Sequence, residues 1–409
     1  MEISFKSFFS KSHIVLLGLA LAYFVSQGLR GYTIALAFMM SSLLIVRSPS
    51  SKFWPSQARS FYFVGIIIIF MLISCILQYV FFDNRTILMF CFPFFSAFYL
   101  GVVLLYFRGG KVWGEDFLWF IISFVICVLI FNLLITVEIP RDEILKESFG
   151  ATKRGLVLDK GDDTFLGVFV VHNLIAIPYG AAIGLALCGA AVCIKKQIHK
   201  FAVFLLGLAA LFPAYYTQTR APYIVFAIVM LILCSVSMIQ RKNLLLVATV
   251  FMCGFVGVII SFTLNVGILS RFADLSEGDG RFTLWQDATA NLFGFGEFSS
   301  VSDYAHNYVL DVGMDHGRVL ALLALVICIS ILYFCFLMMS KLDKLDFEKS
   351  FLAFFLFVGV VLSMINPPSN LSHMIYGFGL ASLPYMKLVL RRLARYERPP
   401  AVVIRRGAY

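Results

Sequence analysis

Phe61-Tyr-Phe-Val-Gly-Ile-Ile-Ile-Ile-Phe-Met-Leu-Ile-Ser-Cys-Ile-Leu-Gln-Tyr-Val-Phe81 carries no charged side chain. A helix needs about 20 such residues to cross the hydrocarbon core of a bilayer. This stretch has that length and is apolar all round, so it reads as a membrane-crossing helix. A barrel strand is half as long and alternates in polarity, which leaves the helix as the spanning form. Working outward, the pattern recurs in about twelve spans, at 13–28, 31–46, 61–81, 86–107, 117–137, 164–193, 201–219, 222–239, 243–266, 317–340, 350–366 and 372–390.

Composition agrees. The chain has 409 residues, of which 61% are hydrophobic and 14% charged, against about 25% charged in a soluble domain; its mean hydropathy is +0.91. The expected fold is an all-α integral membrane protein, one polytopic domain over residues 1–409. The first apolar run, Ile14 to Val25, has no small-residue cleavage site and leads straight into a second span, so no cleavable leader is expected. All nine cysteines lie inside apolar spans, without a Cys-x-x-Cys pair or a nearby His. They read as small buried side chains, not as a metal or disulfide framework. Gly180-Ala-Ala-Ile-Gly184 has the small-xxx-small spacing of close helix packing.

The net charge of +10 does not point to nucleic acid, because the cations sit in short loops between spans. Arg47, Lys52 and Arg59 fill one loop, Arg108 and Lys111 the next of that parity. Lys195, Lys196 and Lys200 follow, then Arg241 and Lys242, then Lys341, Lys344 and Lys349, then Arg391 and Arg392. By the positive-inside rule this set is cytoplasmic, and both termini with it. The opposite face carries a smaller loop, Glu138 to Asp163, and a larger one over residues 267–316. The larger loop keeps Phe272, Phe282, Trp285, Phe293, Phe295 and Phe298, so it is expected to be ordered.

Chemistry-bearing residues gather on that opposite face. Thr217-Gln218-Thr219-Arg220 ends one span and Ala221-Pro222 begins the next. Arg220 either snorkels to the interface or, with Gln218, forms a polar pocket whose guanidinium fork suits phosphate oxygens. Gly280-Arg281 is followed by Trp285, four residues on and on the same helical face; Arg271 is a second cation in the same loop. Tyr304-Ala-His306-Asn307-Tyr308 offers a histidine, the commonest general base, where the alternative is a packing or capping residue. Asn307 either orients His306 or binds a sugar hydroxyl. Lys153 and Arg154 add cations in the smaller loop, which either folds over the site or connects helices. His172-Asn173 reads as a helix-helix hydrogen bond. His316, His13, His199 and His373 stand without comparable context. No Walker loop, nucleophile elbow, zincin motif or dinucleotide fingerprint is present, and no Asp-x-Asp pair to hold a divalent metal. If phosphate chemistry occurs here, arginines must take the place of a metal, and no cofactor is expected.

Thr-Gln-Thr-Arg220, Gly-Arg281 with Trp285, and His306-Asn307 followed by nine residues and Gly317 together resemble the O-antigen ligase and polymerase superfamily. The resemblance covers roughly residues 160–340 and implies a GT-C-like membrane glycosyltransferase with a large periplasmic loop. It implies a multi-pass protein of the Gram-negative inner membrane with a periplasmic active site among membrane lipids. It further implies metal-independent, inverting transfer of O-polysaccharide from undecaprenyl pyrophosphate to lipid A-core, with His306, Arg220 and Arg281 catalytic. Arg271, Gln218, Trp285, Asn307, Lys153 and Arg154 would contact substrate. The family's small residue three past the glycine is Leu320 here, which keeps open the polymerase, whose acceptor is a second lipid-linked glycan. A lipid-linked oligosaccharide transporter is a further alternative. It would want ionisable groups at the membrane midplane, and these spans hold almost none.

Overall fold

A computed structural model of the chain describes Leu16, Gly18 and residues 58–107, 122–130, 177–212, 221–240, 289–290, 307–365 and 369–396. Among these residues the regular structure is helical, with no strand. In chain order the helices are α1 (Ala58–Phe81), α2 (Ile87–Val102, continued by a π turn over Val103–Phe107), α3 (122–130), α4 (Ile177–Ala191) and α5 (Gln197–Ala209). Then come α6 (Ala221–Gln240), α7 (Tyr308–His316), α8 (Arg318–Met339), α9 (Phe347–Ile365) and α10 (Ser369–Tyr396). Four described helices are long and apolar enough to cross a membrane: Tyr62–Phe81, Ile87–Tyr106, Arg318–Met339 and Phe347–Ile365. The spans expected at 13–28, 31–46 and 243–266 lie outside the described residues, Leu16 and Gly18 excepted, and so does the loop at 138–163.

Each expected span that is described contains a helix. On α1, Val64, Ile67, Met71 and Cys75 are buried at three- and four-residue spacing, while Ile66, Ile69, Phe70 and Ile73 are exposed. That is one packing stripe on a helix whose other faces suit lipid. Helices α4 and α5 meet through glycine. A Cβ on Gly184 would lie 2.5 Å from the Gly207 carbonyl oxygen and one on Gly207 2.6 Å from the Gly184 carbonyl, while Gly189 faces the Phe354 ring of α9. The small-xxx-small run is therefore a packing surface, as its spacing implies.

Helix α10 differs most from its expected span: it begins at Ser369 and runs to Tyr396, well past 372–390. It is also more polar than the four crossing helices, yet Ser372, His373, Tyr376, Ser382 and Tyr385 are all buried. A helix covered by other helices can hold polar groups that lipid would exclude, provided they find partners. The fit to α2 is close. Gly377 lets the α10 backbone lie directly on the Phe94 carbonyl, and a Cβ on Gly101 would fall 2.7 Å from that of Ala381. Pro384 lacks the N–H that would bond Leu380 and loosens the ladder there. The Tyr106 hydroxyl of the neighbouring helix donates to the Ala381 carbonyl at 2.8 Å, supplying a donor beside the break.

The segment 308–316, read from sequence as the end of the large polar loop, is instead the helix α7 packed into the bundle. Two ends of the described bundle then differ in chemistry. At the end of α8 that reaches Met339, the Cys193 thiol donates to the Leu342 carbonyl at 3.3 Å and lies 2.9 Å from the Ser350 hydroxyl. These contacts join the lysine-bearing loops 192–196 and 340–346, and Lys349 of α9 pairs with Asp346 of the second loop. At the opposite end of α8, Asn84 from the α1–α2 turn donates to the Asp315 carbonyl at 2.9 Å, and Asn307 donates to the Met364 carbonyl of α9 at 3.3 Å.

Candidate functional site

Of the residues singled out from sequence, His306, Arg220, Arg281, Arg271, Gln218, Trp285, Lys153 and Arg154 lie outside the described residues. Asn307 lies within them. It has extended backbone angles, and its side-chain oxygen accepts from Val309 N–H at 3.1 Å and Leu310 N–H at 3.3 Å. This is an N-cap, which satisfies helix amides left without an intrahelical partner. Its side-chain amide donates to Met364, and the residue is 7% exposed. The side chain is thus committed to backbone groups of α7 and α9.

Nine residues further on, Gly317 ends α7 and opens α8 with φ +88. A side chain would be strained at that angle, and a Cβ there would lie 3.0 Å from the Gln78 amide nitrogen. The interval between Asn307 and Gly317 is therefore the length of a helix: a capping Asn starts it and a left-handed Gly stops it. Leu320, three past the glycine, is fully buried among apolar side chains.

Helix α7 carries its polar groups into a buried cluster. The Tyr308 hydroxyl and His373 Nδ1 of α10 are 2.9 Å apart and share a hydrogen bond. The Tyr308 ring also packs on Tyr376, with centroids 4.1 Å apart. Phe90 of α2 touches His373 edge-on at 4.9 Å and His316 at 5.5 Å. Sequence reading set His316 and His373 aside; here they share one aromatic neighbour. No signal in the sequence pairs Tyr308 with a residue 65 positions away.

His316 is 6% exposed, and among the described residues its Nδ1 has no hydrogen-bond partner. Burial pushes its pKa from 6.5 down to about 4, against a smaller upward pull from a backbone bond at Asp315. The folded state therefore binds the proton less readily than the unfolded one. Its stabilising contribution is complete above pH 6.5 and is lost as pH falls toward 4. Thermal unfolding of the protein in detergent should drop more steeply between pH 6.5 and 4 for wild type than for His316→Phe. Parallel curves would remove His316 from the acid response.

Among the described residues no group of three His, Cys, Asp or Glu side chains is placed to hold a metal ion. No family model matches the chain, and no curated protein is detectably similar to it.

Proposed function

We propose that the chain is an O-antigen ligase, a glycosyltransferase that moves O-polysaccharide from undecaprenyl pyrophosphate to a hydroxyl of lipid A-core. The observation that carries this is the Asn307-to-Gly317 unit. The histidine-bearing segment that resembles the ligase motif is joined to a capped, buried helix of the motif's length, at the bundle end away from the lysine-bearing loops. By the positive-inside pattern that end faces the periplasm of a Gram-negative inner membrane, where a lipid-linked glycan is presented. Leu320 weighs less against a ligase than the sequence alone suggests, because it sits in apolar packing.

In this reading Arg220 and Arg281 bind the pyrophosphate and stabilise the charge that grows as it leaves. Charge-assisted hydrogen bonds of this kind contribute about 1.5–3 kcal/mol each, and more when preorganised toward the transition state. His306 takes the proton of the acceptor hydroxyl as that oxygen attacks the anomeric carbon from the face opposite the pyrophosphate, giving inversion. Gln218, Arg271, Trp285, Lys153 and Arg154 line the donor and acceptor paths.

Transfer by the purified protein from a polyprenyl pyrophosphate glycan, in chelator, tests the reading. Arg281→Lys should stay at least about tenfold below wild type, since a point charge does not replace a bidentate fork. Full activity in that variant would remove Arg281 from the pyrophosphate role. Activity restored only by added magnesium or manganese would overturn the metal-independent mechanism.

A further inference from the structure

We infer that His373 is a positioning residue: its hydrogen bond to Tyr308 sets the docking of α7 and, through the peptide joining residues 306 and 307, the rate of the transfer step. This rests on the function proposed above. Helix α7 has nine residues, too few to hold a helix in isolation, so its place is set by what it touches. Asn307 fastens its start to Met364 of α9, and Asn84 fastens its end through the Asp315 carbonyl. Both of those bonds land on backbone carbonyls. The bond from Tyr308 to His373 instead joins two side chains on α7 and α10, and it is buried, with Tyr308 2% and His373 6% exposed. A buried polar pair of this kind favours one arrangement, because a group that loses this bond gains no water in its place.

The same burial argues against contact with substrate. Neither side chain reaches solvent, so each acts through the helix it holds. Tyr308 is the first residue of α7 and follows the capping Asn307 directly. A base that must meet an acceptor hydroxyl tolerates little displacement, since small misplacements cost large factors in rate. The Phe90 and Tyr376 rings pack the pair on two sides and limit the alternative rotamers open to it.

The test uses full-length protein in detergent, with Tyr308→Phe, His373→Leu and His373→Asn, the last keeping an amide near the position of Nδ1. Amide exchange of residues 309–313 should rise about tenfold in the Phe and Leu variants and return toward wild type in His373→Asn. Exchange in α8 should stay unchanged, which excludes global unfolding. In transfer kinetics the Phe and Leu variants should lose about tenfold in kcat with KM within about twofold, and His373→Asn should recover most of it. Faster exchange with unchanged kcat overturns the inference, as does unchanged exchange in both variants. A loss that His373→Asn does not recover overturns it too, by making the bond immaterial. Wild type that transfers no glycan sinks the ligase reading and the link to turnover together, while the exchange measurements alone still decide whether this bond docks α7.

Discussion

His306→Ala should lower turnover by about 10²–10⁴-fold while the donor's binding constant changes by less than about twofold. The acceptor hydroxyl is a poor nucleophile until its proton is withdrawn, and a positioned base contributes mainly in the transition state, where that proton is in flight. The pyrophosphate and lipid of the donor are held by other groups in this account, so ground-state binding survives the substitution. A donor-binding measurement beside single-turnover kinetics separates the two quantities. Lost binding with normal turnover would contradict the base assignment and make His306 a donor contact. The substitution is also structurally mild in one respect: the cap that starts α7 belongs to Asn307, whose bonds to Val309, Leu310 and Met364 do not use the His306 side chain.

Gly377→Ala should be the most destabilising small substitution in the described bundle. The added methyl would sit on the Phe94 carbonyl, a backbone atom that no rotamer change can move aside. Helices α2 and α10 would have to part, loosening the Gly101–Ala381 contact and the bond from Tyr106 to Ala381. Overpacking of this kind costs about 1–3 kcal/mol or more. Gly65→Ala is the matched control, because a Cβ there meets nothing within 4 Å, and alanine is the better helix former. Thermal unfolding in detergent should therefore fall clearly for Gly377→Ala and hold or rise for Gly65→Ala. Equal effects would mean that the close approach of α2 and α10 is not what holds them together.

The two ends of this comparison show what the sequence makes legible. Helix α1 was readable because lipid demands apolar side chains over most of its surface, and a run from Phe61 to Phe81 announces that directly. Helix α7 was not, because Asp311, Asp315 and His316 make a nine-residue segment look like polar loop. Its helicity comes from a cap at Asn307, a stop at Gly317 and burial against α8 and α9, none of which raises hydropathy. Helix α10 shows the same effect at full length: its buried Ser, His and Tyr side chains blur the apolar signal at its start, and its basic end runs past the membrane-length window. The candidate site divides likewise. His306, Arg220 and Arg281 are legible as residue types that the alternation of charged loops is expected to bring to one face, and they lie outside the described residues. The bond from Asn307 to the Met364 carbonyl, and the pairing of Tyr308 with His373, depend on contacts between distant segments that periodicity does not encode. His316 and His373 lacked context in one dimension only.

Glycan transfer is tested by giving the purified wild-type protein a choice of acceptors. Undecaprenyl pyrophosphate carrying a labelled O-polysaccharide is mixed with lipid A-core in chelator, and the label is followed by gel mobility. A ligase should leave the label on lipid A-core and release free undecaprenyl pyrophosphate. Label that stays on the polyprenyl carrier, or that only lengthens polyprenyl-linked chains, would rule out the ligase assignment.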